Sequence, residues 1–212
     1  GQMSISEAAS LFLGCYPFHP VTAILLPMLC QKVAQNERTL FSYLGSHEQY
    51  GMREIVQNIK SVNDLIMPSD VYDYFITNQS ASIGDHITHR RWVEVVTAIE
   101  RLGDANPDEV SILKTIGLMN IVGSRSGFKP SKLLLSSLGL SKSRFRSALK
   151  LLEEKSVITF RKFSNEFRVW QGSDFDLELR VQEELANIGK FFRFLVLYRH
   201  IRVKEIKLRA SN

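Results

Sequence analysis

The chain has no G-x-x-x-x-G-K-[ST] loop, so it lacks the backbone cradle and lysine with which a P-loop grips nucleotide phosphates. Its two cysteines, Cys15 and Cys30, are far from C-x-x-C spacing. That removes the case for a cysteine zinc site and leaves two free thiols as the expectation. No H-E-x-x-H helix is present, and no metal site is expected. The apolar runs are too short to span a bilayer, and Ser4-Ile5-Ser6-Glu7 is not a basic leader ahead of an apolar run. A cytoplasmic protein with no membrane partner is expected. Internal repeats and low-complexity stretches are also lacking.

Hydrophobic residues make up 44% of the chain, and thirteen Phe with six Tyr supply enough core material to exclude general disorder. The formal charge of +5 favours an acidic partner such as nucleic acid. Most of that excess lies after Lys190, where Arg193, Arg199, Arg202, Lys204, Lys207 and Arg209 face a single acid, Glu205. Residues 191–212 are therefore read as a basic tail.

Apolar spacing predicts a helix from Ile5 to Phe12, capped by Ser4 or Ser6. Pro17 and Pro20 break it, and a helix resumes from Thr22 to Val33, with Pro27 expected to kink it. Glu37 to Leu44 reads as a short amphipathic helix with Asn36 as a cap. Ser69 or Asp70 is placed as the cap of a helix carrying Val71, Tyr74 and Phe75. Ser82 to Leu102 reads as a longer helix. Gly103-Asp-Ala-Asn-Pro107 is the strongest interruption, and a domain boundary is expected there.

Beyond it come helices over 108–122, 131–138 and 143–155. Val157 to Phe163 and Glu166 to Trp170 then alternate apolar and polar residues around Ser164-Asn165, a hairpin signature. Helix, helix, turn, helix, hairpin is the order of a winged helix-turn-helix. Ser173 to Asp176 cap a trailing helix over 177–188.

In DNA-binding winged helices the third helix enters the major groove by its N-terminal end. Here that end is Ser141-Lys-Ser-Arg-Phe-Arg146, so Lys142, Arg144 and Arg146 are candidate nucleic-acid contacts. Arg161, Lys162 and Arg168 on the hairpin are candidates for an adjacent phosphate backbone. Glu153, Glu154, Glu166, Asp174 and Asp176 dilute this positive surface, and a winged helix used only for protein packing is the competing reading. His19 has no nucleophile and orienting acid around it in sequence and reads as structural. His86 and His89, at i and i+3, lack a third metal ligand and read as a solvated helix face.

Asn36-Glu37-Arg38 stands directly before Thr39-Leu-Phe-Ser-Tyr-Leu44. A guanidinium stays charged and presents a planar fork, which suits a phosphate or a carboxylate. The cluster therefore reads either as a helix cap with a salt bridge or as a phosphate sensor.

Tyr16-Pro-Phe-His-Pro-Val-Thr-Ala-Ile-Leu-Leu-Pro-Met-Leu-Cys30 and Gln35-Asn-Glu-Arg-Thr-Leu-Phe-Ser-Tyr-Leu44 resemble the segment after the P-loop core of large bacterial AAA-like or STAND-like ATPases, some of them tied to anti-phage defence. Ala148 to Glu154, Val157 to Phe163 and Phe167 to Asp176 are similar to the winged helix that follows in such proteins. The resemblance implies a mainly α chain: a helical lid-like domain over 1–103, then a winged helix-turn-helix with a small β-hairpin and trailing helix over 108–190. It implies that Arg38, flanked by Asn36 and Glu37, senses the nucleotide phosphate. It also implies a non-catalytic regulatory and interaction fragment that couples the nucleotide state of a larger ATPase, or of a partner subunit, to partner or DNA binding. No cofactor is expected in this chain; ATP and Mg would belong to the full-length protein. The alternative is a stand-alone winged-helix transcriptional regulator.

Overall fold

The computed structural model describes residues 4–33, 38–78, 86–123 and 128–170 and is mainly helical, with one antiparallel hairpin. In chain order the elements are α1 (Ile5–Gly14), α2 (Pro20–Val33), α3 (Arg38–Gly45), α4 (Met52–Asn58), α5 (Pro68–Asn78), α6 (His86–Leu102), α7 (Pro107–Val122), α8 (Lys132–Ser136), α9 (Lys142–Glu154), β1 (Ile158–Arg161) and β2 (Glu166–Val169). Contacts divide the chain into Gly1–Trp170 and Gln171–Asn212. The trailing helix expected over 177–188 and the tail over 191–212 lie outside the described residues.

Helix α7 carries apolar side chains on every side rather than along one stripe, the pattern of a helix enclosed by its neighbours. Ile112, Leu113, Ile116, Leu118, Met119 and Ile121 are all fully buried. The helix packs against α2, α5 and α6, and also against α9 and β2. Gly117 permits a close approach, because a Cβ there would lie 2.6 Å from both methyls of Val95 on α6.

The interruption expected at Gly103–Pro107 is present as a loop. Gly103 takes a positive φ of 63°, and Asn106 caps α7 by accepting from Asp108 N at 3.0 Å. The core nevertheless runs across this loop, from Leu25 and Leu29 through α7 to Leu149 and Leu152. The helix that begins the second half is also the strut that the first half packs on.

Local signals place most element ends. Ser4 and Glu7 form a capping box on α1, each bonding the other's backbone N–H. Helix α2 continues through Pro27, which lies on its exposed side, and no second start occurs there. Asp70 is not a cap but the third residue of α5. Its carboxylate accepts Met67 N at 2.7 Å, so the acid satisfies the entry from inside the helix. Helix α4 had no counterpart among the expected elements; Gly51 precedes it without a side-chain cap. Helix α8 is shorter than the 131–138 expected, with Ser131 as its cap.

Candidate nucleic-acid interface

Helix α9 begins at its cap, Ser141, which accepts Arg144 N at 3.4 Å. Phe145, Ala148, Leu149 and Leu152 form its buried face. Lys142, Arg146 and Lys150 are spaced i, i+4, i+8 and so share one stripe, and all three are exposed. Lys150 leans toward Glu154 at 3.3 Å. Among the described residues, Lys142 and Arg146 form no ion pair, so their charge faces outward.

Arg144 behaves differently from the two cations beside it. Its Nε and Nη2 donate to the two carboxylate oxygens of Asp108 at 2.8 and 2.7 Å, a fork-to-fork pair. Asp108 sits in the first turn of α7, where the helix dipole already favours an acid. The next residue, Glu109, lies 3.8 Å from Lys155 just beyond the other end of α9, and Lys155 also donates to Leu102 O at 3.1 Å. Two acids at the start of α7 are thus held from both ends of α9. Arg144, a candidate nucleic-acid contact, is engaged by Asp108 and ties α9 to α7.

In the hairpin, Ile158 pairs with Val169, Thr159 with Arg168, Phe160 with Phe167 and Arg161 with Glu166. Side chains alternate across a strand, so Phe160 and Phe167 share the inner face, their rings 4.9 Å apart. Thr159, Arg161, Glu166 and Arg168 share the other face. Arg168 Nε donates to Glu166 at 3.0 Å, and both side chains are well covered. Arg161 is half-buried opposite the same glutamate. Of the three hairpin candidates, Lys162 alone is exposed. It lies in the turn rather than in β1, which ends earlier than expected.

Asn120, in the last turn of α7, holds the hairpin. Its amide donates to Phe167 O at 3.1 Å and accepts from Val169 N at 3.0 Å. Phe167 N donates to Pro130 O at 2.9 Å, so the outer edge of β2 is bonded along its length. Sequence reading missed Asn120; the signal was one amide in the otherwise apolar run Ile116–Val122, which a buried segment keeps only if it is satisfied.

Arg38 is the first residue of α3, and Asn36 and Glu37 fall outside the described residues, so the cluster expected to sense phosphate is located only by its helix. His19 spans two parts of the fold. Its Nδ1 accepts Val21 N at 3.2 Å, capping α2, while Nε2 lies 3.1 Å from Ser137 O at the end of α8. Accepting at Nδ1 places the proton on Nε2, which then donates to the carbonyl. Partial burial holds its pKa below the ordinary imidazole value, opposed by the bond to Ser137.

Set against known proteins, the chain matches no family model, no curated protein and no solved structure. Among the described residues, no helix is long and apolar enough to cross a membrane, and no group of three or more His, Cys, Asp or Glu is arranged to hold a metal ion.

Proposed function

We propose that this chain is a non-catalytic interaction module that binds duplex DNA through a winged helix formed by α7, α8, α9 and the hairpin. The observation that supports this reading is the outward stripe of Lys142 and Arg146, left without acids because the acids are engaged elsewhere. Asp108 holds Arg144, Glu109 lies by Lys155 and Glu166 holds Arg168. An α-helix fits the major groove of B-form DNA, and a cationic stripe along it meets phosphates and guanine edges. Ser143 and Ser147, exposed between the cations, add short donors of the kind that bond phosphate oxygens.

The likeness of Tyr16–Cys30 and Gln35–Leu44 to large P-loop ATPases supports the second half of the proposal, that such binding is coupled to a nucleotide-driven machine. Helix α7 offers a physical route, since it is shared by the helical half and the winged helix. In that setting Arg38 would be the residue that senses phosphate. A stand-alone regulator would use the same α9 surface, differing only in having no ATPase partner.

The test is fluorescence anisotropy of labelled duplex DNA over a salt series. Lys142→Glu with Arg146→Glu should weaken binding by about 100-fold or more and flatten the salt slope by about two contacts. Arg144→Ala should leave that slope nearly unchanged. Binding that ignores the Lys142 and Arg146 reversals would refute the α9 surface.

A further inference from the structure

The hairpin has three phenylalanines, and they are not treated alike. Phe160 and Phe167 pair on the inner face, whereas Phe163 at the tip is 70% exposed. It stands next to exposed Lys162 in the four-residue turn between Arg161 and Glu166, and Asn165 closes that turn at φ 53°. A left-handed residue suits Asn and fixes the turn without glycine. The support beneath is stiff: the Phe160–Phe167 pair, the Asn120 amide on Phe167 and Val169, and the Pro130 bond to Phe167. A large aromatic ring is thus presented to solvent from a braced hairpin, beside a cation.

We infer that Phe163 is a stacking platform for an unpaired base, and that the DNA this module takes is a duplex ending in a single strand. The inference rests on the proposed DNA reading and adds the substrate class. A paired base inside a duplex already has both π-faces covered. The first unpaired base beside a duplex end has one face free, and an aromatic ring stacks on it whatever its identity. Lys162, one residue away, meets the phosphate of that strand, while the α9 stripe holds the duplex. Duplex RNA is disfavoured by the same geometry, because its deep, narrow major groove does not admit a helix.

The experiment uses the full 212-residue chain with three labelled DNAs: a blunt duplex, the same duplex with a single-stranded tail, and the tail alone. A fluorescent aminopurine occupies the first unpaired position. The tailed duplex should bind about tenfold more tightly than the blunt one, with quenching of the aminopurine. Phe163→Ala and Phe163→Leu should both abolish the quenching and bring tailed and blunt affinities together, with blunt binding changed by less than about twofold. The exposed position should leave the melting temperature unaltered in both variants. Equal affinity of the native chain for tailed and blunt duplex overturns the stacking platform and leaves the α9 reading standing. Failure to bind any of the three DNAs overturns both, as does tighter binding to tailed RNA of the same sequence.

Discussion

Arg144 and Asp108 meet through two parallel N–H···O bonds, the aspartate side chain only 11% exposed and the arginine side chain 63% exposed. The pair ties α9 to α7, since two parallel bonds from a planar fork restrict the carboxylate more than a single bond would. Arg144→Ala strands a covered acid and should cost about 1–2 kcal/mol in urea unfolding. Lys142→Ala and Arg146→Ala should each stay within about 0.5 kcal/mol. If all three variants unfold alike, the division between an orienting arginine and two outward cations is wrong.

Asn120 satisfies two backbone groups of β2 with one amide. Replacing it by leucine keeps the branched shape, in slightly bulkier form, and leaves Val169 N and Phe167 O buried without partners, for about 2–3 kcal/mol. Asn120→Asp keeps the acceptor for Val169 N but sets a charge against Phe167 O, and should be at least as costly. Amide exchange at Val169 should accelerate in both. Unchanged protection there would mean that the hairpin is held by packing alone.

Gly117→Ala places a methyl 2.6 Å from both Cγ atoms of Val95. Alanine is the better helix former by about 1 kcal/mol, yet overpacking at a close helix crossing costs about 1–3 kcal/mol, so the net change should be destabilising. Val95→Ala in the same chain removes the methyls and should recover most of the loss. Additive effects of the two substitutions would place the strain elsewhere.

The folded chain holds a proton on His19 less readily than the unfolded chain, whose imidazole keeps its ordinary value of 6.5. The stabilising contribution is therefore complete above that value and is lost as the pH falls toward the depressed folded pKa. Protonating Nδ1 also removes the acceptor that caps α2. Asparagine caps helices without titrating, so His19→Asn should flatten the fall in unfolding free energy as the pH drops below 6.5. A slope as steep as in the native chain would assign it to other groups.

Much of the architecture could be read directly from the residues. Ser4 with Glu7, Asn106 with Pro107, and Ser141 mark helix starts by bonds made within one turn, so a local pattern is enough to find them. The hairpin was visible in its alternation and in Asn165. Helix α4 escaped notice because Gly51 offers no capping side chain and none of its residues is buried, so neither a start signal nor an apolar stripe was strong. The interruption before Pro107 was legible as a loop, yet one buried cluster runs past it. Gly and Pro report a loop in the backbone; they carry no information about which helices share a core.

The candidate surface divides along the same line. Composition and spacing determined that a cation-rich helix opens within Ser141–Arg146 and precedes a hairpin, since those features depend on neighbours in the chain. Which cations face outward was decided by tertiary packing. Arg144 is taken by an acid 36 residues away, Arg168 is folded against Glu166, and Lys142 and Arg146 are left to solvent. Charge pairing acts over a few ångströms in space, and the chain order does not say which groups come that close.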